Sequence, residues 1–226
     1  MKILHVSDLH ARPAWFEWLT NESSKYDLVC LTGDILNLGD LDPEPDVQIA
    51  TVLPYLQAIQ SPLAVCSGNH DLLDNQGYHS AHWMTSLRRK NVWIDDDVFW
   101  FCDYRFRCLA WCDPVPQENI RVDFLLAHAP PYGARTSTEA GGVSHGCGEL
   151  RDACLSGRGP LFALGGHVHH PLDYRSMLHH TITLNPGQGD HPACPSHIVI
   201  DLGRSTVTHH RVSVAGVKLS TFNFTA

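Results

Sequence analysis

Three short apolar runs, Ile3–Val6, Leu28–Thr32 and Leu63–Cys66, alternate with two segments of helical character, and no other feature of the chain restricts its fold as much. Runs of this length, rich in branched aliphatic residues and bounded by Gly, Asn or Asp, read as buried strands. Between the first two, residues 13 to about 25 open on Pro13 and group Trp15, Phe16, Trp18 and Leu19 as a helix would. Asp46 to Gln60 carries Val47, Ala50, Leu53 and Ile59 at helical spacing, and Pro54 should kink or interrupt it. The order β-α-β-α-β implies parallel strands with right-handed crossovers. From Val98 onward strands dominate: Val98–Cys102, Phe106–Cys112, Phe124–Ala127, Leu161–Leu164, Thr181–Leu184, His197–Leu202 and Thr206–Val212. Short turns between them point to an antiparallel or mixed sheet, with further helices at Ser80–Lys90 and Gly148–Ser156. At 226 residues, with no repeat or linker, a single α/β domain over 1–226 is expected.

The ends of these runs carry the chemistry. In chain order they read Asp8-x-His10, Gly33-Asp34, Gly68-Asn69-His70-Asp71, a solitary His128, and Gly166-His167-x-His169. Residues i and i+2 of an extended chain share a side, so Asp8 with His10, and His167 with His169, can each face one ion. The glycines let the backbone turn sharply, projecting Asp34 and Asn69 beyond the sheet. In open α/β sheets that carboxyl edge is where ligands bind. Asp8, His10, Asp34, Asn69, His128, His167 and His169 are too many ligands for one ion and suit two that share a carboxylate. Imidazole with carboxylate selects Mn, Fe, Zn, Co or Ni over Ca or Mg. Two such ions about 3.5–4 Å apart hold a hydroxide at neutral pH and clamp a phosphate for in-line attack. Their charge exceeds that of two aspartates, so the site stays positive in a chain of net charge -8. His70 is left free to move protons.

This ordered set resembles the signature of the calcineurin-like metallophosphoesterase superfamily, and every element is present. The resemblance implies a β-sandwich of two mixed sheets flanked by helices. It implies Asp8, His10, Asp34 and His169 at one metal, and Asp34, Asn69, His128 and His167 at the other, with Asp34 bridging. By the same resemblance His70 assists the leaving group and Asp71 orients its ring. Protein Ser/Thr phosphatases of this superfamily usually read Gly-Asn-His-Glu followed by arginine, whereas Leu72-Leu73 follow Asp71 here. The segments around His128, Gly146-Cys147-Gly148 and Asn185-Pro186-Gly187 look most like small stand-alone phosphodiesterases of the MPPED-like group. The implied activity is hydrolysis of a small phosphodiester or phosphomonoester, with manganese the expected activator. A non-catalytic scaffold and a nuclease are the alternatives.

Composition narrows the partners. The acidic balance gives no basic patch for long nucleic acid. No apolar stretch approaches the ~18 residues of a membrane helix, and no leader precedes the first strand, so a reducing cytoplasm is expected. Oligomeric state is open. The eight cysteines include no Cys-x-x-Cys, and Cys30, Cys66, Cys102, Cys108 and Cys112 read as strand residues.

Other polar residues have competing readings. Arg12 could fork onto a phosphate or merely sit at a helix start. His145 could touch substrate or lie on the surface. Tyr132 to His145 is a polar loop, either a lid or an ordinary mobile segment. His5 reads as a core residue, and His170 as pointing away from the site. His179-His180 and His209-His210 should not pair, because adjacent strand residues face opposite ways. Trp83, Trp93, Trp100 and Trp111 read as core, and Asp95-Asp96-Asp97 as a solvated turn. Specificity is expected to lie in loops 72–79, 113–120 and 132–146.

Overall fold

A computed structural model describes residues 1–39, 42–75, 78–111, 113–116 and 122–225. Cys112, and the parts of loops 72–79 and 113–120 at 76–77 and 117–120, lie outside them. The first half runs β1 (Lys2–Val6), α1 (Pro13–Ser23), β2 (Leu28–Thr32), α2 (Pro45–Ala58) and β3 (Leu63–Cys66), followed by a small hairpin, β4 (Leu73–Asn75) with β5 (Tyr78–Ser80), and β6 (Val92–Trp93). The second half runs β7 (Val98–Phe101), β8 (Tyr104–Cys108), β9 (Phe124–Leu126), α3 (Gly148–Leu155), β10 (Phe162–Leu164), β11 (Arg175–Leu178), β12 (Thr181–Leu184), β13 (His197–Asp201), β14 (Thr206–Ser213) and β15 (Gly216–Asn223).

Two mixed sheets face each other. The first has the order β15-β14-β13-β1-β2-β3-β6, and the second β11-β12-β10-β9-β8-β7. β1, β2, β3 and β6 are parallel, as the alternation requires, and β13 joins them antiparallel through β1. In the second sheet β8, β9, β10 and β12 are parallel, with antiparallel β7 and β11 at its edges. The strand period sorts the core. Ile3, Leu28 and Cys30 face the second sheet, while Leu4, Val6, Val29 and Leu31 face the helices. In the second sheet Phe124 and Leu126 face inward, and Leu125 and Ala127 pack on α3. Phe99, Phe106, Phe124 and Phe162 stack in turn across four strands, with centroids 5.2, 4.5 and 4.8 Å apart. Such in-register rings add packing energy beyond their burial.

Several local expectations need correction. α2 runs unbroken through Pro54, which lies on its exposed side, where the carbonyl that loses its amide partner can meet water. Ser80–Lys90 forms a 3₁₀ segment, His82–Leu87, in place of an α-helix. Its buried residues, Ala81, Met84 and Leu87, recur every third position, which is the 3₁₀ period. Cys102 is exposed in the β7–β8 turn, at φ 53°, while Cys30, Cys66 and Cys108 are buried. His179 and His180 do meet, Nδ1 to Nδ1 at 2.8 Å, because they form the β11–β12 turn, where strand alternation does not apply. β15 carries Val217 and Leu219 exposed, so its weak apolar pattern gave no strand signal.

Candidate active site

The loops that follow β1 and β2 are laced together. Asp8 and His10 amides donate to Gly33 and Asp34 carbonyls at 3.1 and 3.0 Å, and Ser7 Oγ donates to Thr32 O at 2.6 Å. Asp8, His10 and Asp34 in these loops, and His167 in the loop after β10, lie in the left-handed region, at φ 57°, 45°, 51° and 66°. For residues with a side chain that conformation costs about 1–2 kcal/mol each, so the surrounding structure holds these four in place. Gly33, at φ 80°, makes the sharp turn read from the sequence. Gly68 and Gly166 act differently: a Cβ on Gly166 would overlap Ser7 Oγ and Asp8 Oδ2, and one on Gly68 would overlap Asp34 Oδ1. Both glycines provide clearance for the carboxylates.

The ligand-type atoms gather in two groups. Asp8, His10, Asp34 and His169 form one, and Asp34, His128 and His167 the other, each with atoms within 4.8 Å of one another. Asp34 is common to both. His10 Nε2 and His169 Nε2 face each other at 3.0 Å, and His128 Nε2 lies 3.1 Å from Asp34 Oδ2 without the alignment of a hydrogen bond. Asp8 Oδ2, Asn69 Oδ1 and His128 Nε2 are buried and have no hydrogen-bond partner. Native structures rarely orphan buried polar atoms, and the orphans here include two hard oxygens and an imidazole nitrogen of the motif residues. The residues therefore fit divalent transition-metal ions. His128 donates its other nitrogen, Nδ1, to Thr32 O at 2.7 Å, the arrangement that frees Nε2 for a metal.

Electrostatics point the same way. Burial disfavours the Asp34 anion, but His128 and the amide of His70 outweigh it and hold the carboxyl well below the usual range. Burial likewise resists a charge on His128, yet Asp34 and Asp8 raise it to about 9. Burial and the charge of His128 push His167 down to about 4. Two buried carboxylates thus persist as anions and demand a cation, whether a proton on His128 or a metal in its place.

His70 lies beside this centre, its ring 5.0 Å from that of His10. Its Nδ1 accepts the Leu38 amide at 3.0 Å, so the neutral ring carries its proton on Nε2. Asp71 does not orient that ring. Its Oδ1 accepts the Ile35 and Leu36 amides at 2.9 and 3.0 Å, and its Oδ2 accepts Gly68 N at 2.8 Å. It ties the turn after β3 to the loop after β2, while burial and Asp34 push its carboxyl up to about 7. The main chain of Leu38 holds His70 instead.

The remaining candidates scatter. Arg12 is exposed, its guanidinium 4.3 Å over the Trp15 ring. His145 stands 6.4 Å from the His167 ring, with Nε2 3.9 Å from Glu139. His170 is exposed and His5 is fully buried, bonded to Thr32 Oγ1 at 2.9 Å. The 132–145 loop is folded down, with Ser137 buried and bonded to Pro131 O, and a bridge between Thr138 and Ser144. Asp95 is half-buried and accepts the Ser67 amide at 2.7 Å, unlike a solvated turn residue.

Three supporting residues escaped the sequence reading. Asn185 Nδ2 donates to Gly166 O and Val168 O at 2.8 and 3.0 Å, pinning the loop that carries His167; its signal was the Asn185-Pro186-Gly187 turn. Thr32 orients His128 through its carbonyl, which no side-chain pattern reveals. Trp111 is half-exposed and lies 5.2 Å from the His167 ring and 5.5 Å from that of His128. The exposed Trp100 is likewise outside the core.

Residues 1–171 match the model of the calcineurin-like phosphoesterase family. Among solved structures, TT1561 of Thermus thermophilus is similar over 98% of both chains, with a TM-score of 0.58 and 15% identity. An archaeal phosphodiesterase is similar over 98% of this chain and 100% of its own, with a TM-score of 0.53 and 13% identity. Yfce, a phosphoesterase from E. coli, is similar over 100% of both chains, with a TM-score of 0.51 and 16% identity. At these identities the likeness is one of fold. No curated protein matches the chain.

Proposed function

We propose that this chain, which belongs to the calcineurin-like phosphoesterase family and is a metal-dependent phosphoric ester hydrolase, cleaves small phosphodiesters at a two-ion centre. Asp8, His10, Asp34 and His169 would hold one ion. Asp34, Asn69, His128 and His167 would hold the other. Bound divalent ions supply a polarised phosphoryl group and an activated water. The sharing of Asp34 by both ligand groups is the observation that carries this reading. His70, with Nδ1 occupied by the Leu38 amide, presents Nε2–H as the donor to the leaving oxygen. Asn185 and Asp71 keep the ligand loops in register. Manganese as activator and a diester preference belong to the same proposal.

The test is turnover of bis(p-nitrophenyl) phosphate by Mn-loaded protein, with metal counted by mass spectrometry. Two ions per chain and turnover are expected, and Asp34→Ala should lose both. Full turnover by Asp34→Ala would overturn the reading. A loaded but inert protein would favour a binding scaffold, and cleavage confined to DNA or RNA a nuclease.

A further inference from the structure

A cavity of about 630 Å³ opens against the ligand cluster on the side of the second sheet. His128 and His167 belong to its wall as well as to the ligand groups, so a phosphoester seated at the cluster extends into it. Leu109, Val115 and Leu150 make that wall largely apolar, and the half-exposed Trp111 stands at the junction. Its volume lies within the range of small-molecule sites and far exceeds what a phosphate alone requires. Among the described residues, the acidic side chains lining it are Asp113 and Glu149, and none of the lining residues is lysine or arginine. A second cavity, of about 550 Å³, borders His169 and is more polar in its lining, where Arg211 and Lys218 stand with Asp173 and Asp190.

Resting on the phosphoesterase reading, we infer that the apolar cavity receives an uncharged, planar aromatic substituent on phosphorus, with Trp111 as a specificity-determining residue. A flat indole beside an apolar wall favours a flat partner by offset or edge packing. Asp113 and Glu149, with no lysine or arginine among the described lining residues, disfavour a second phosphate or a carboxylate away from the ligand cluster. His145, which also lines the cavity, offers one polar contact to the rim of such a ring.

Calorimetry on the Mn-loaded protein tests this with two non-hydrolysable probes, phenylphosphonate and methylphosphonate. Phenylphosphonate should bind about tenfold or more tightly, as burial of an aromatic ring predicts. Trp111→Ala should erase most of that preference while leaving methylphosphonate affinity and metal content unchanged, and Trp111→Phe should keep it. Equal affinities in the wild type would overturn the inference. So would a Trp111→Ala variant that weakens both probes alike, since Trp111 would then only buttress His128 and His167. These readouts do not use turnover, so an inert protein that still prefers the phenyl probe would sink the proposed reaction and spare the cavity's assignment.

Discussion

His128 and His209 are both buried histidines, and both give one ring nitrogen to a backbone carbonyl, Thr32 O at 2.7 Å and Pro186 O at 2.9 Å. Burial resists the charged form of each. Yet His128 is raised to about 9 and His209 lowered to about 4. The difference is the neighbouring charge: Asp34 and Asp8 lie by the second nitrogen of His128, whereas Arg211 and His210 add to the burial that lowers His209, whose ring stacks on Tyr174 at 4.5 Å. His197, stacked on His210 at 4.4 Å, behaves like His209 and is also lowered to about 4. Burial of a histidine is thus ordinary packing. A buried histidine whose free nitrogen faces carboxylates marks chemistry.

The contrast can be broken by substitution. His70→Ala, at the cluster but outside both ligand groups, should lower kcat by about 10²–10⁴-fold, the usual contribution of a general acid. Metal content should stay the same, and a matching loss of metal would recast His70 as structural. His128→Gln should weaken metal binding by at least roughly 10–100-fold, read by competition with a chelating dye. His209→Gln is the control: turnover unchanged, with about 1 kcal/mol of stability lost, or roughly 2–4 °C in Tm. An inactive His209→Gln beside an active His128→Gln would reverse the roles of the two histidines.

The smallest effect is in the pH dependence. His197 and His209 have folded values below the ordinary 6.5, so the unfolded chain takes up protons first as pH falls. Their stabilisation is complete above pH 6.5 and fades toward pH 4, by up to about 1.4 kcal/mol per pH unit for each ring. His128 has the opposite sign: its contribution is present below 6.5 and fades as pH rises through about 9. For metal-free protein, Tm plotted against pH should peak near 6.5. Loading with metal should flatten the alkaline limb, because no proton then remains on His128 to lose. A metal-free Tm that rises steadily from pH 6.5 to 9 would contradict the charge assigned to His128.

The parallel core was legible because its strands are short, apolar and bounded by helices. Leu28–Thr32 and Leu63–Cys66 end where the sequence placed them, and the ligand motifs fall at their carboxyl edge. Other features are set by the backbone and by tertiary contacts. The Thr32 carbonyl and the Leu38 amide, which fix His128 and His70, leave no mark in residue identity. The family resemblance implied Asp71 as the partner of His70, but three amides reach it first. Trp111 was read as core, and only the pairing of β8, β9 and β10 in one sheet reveals its place beside His167. His179 and His180 were judged by a strand rule in a place where the chain turns.

One bond across the centre bears on how the molecule is made. The His167 amide donates to Asp8 Oδ1 at 3.1 Å, across 159 residues of chain. The cluster therefore has no local precursor: a growing polypeptide holds its first carboxylate long before the last imidazole exists. Contacts of such separation form late, once loop closure has been compensated by the core. Ion capture would then report on a finished chain, and a truncated or misassembled one would be left without its cargo.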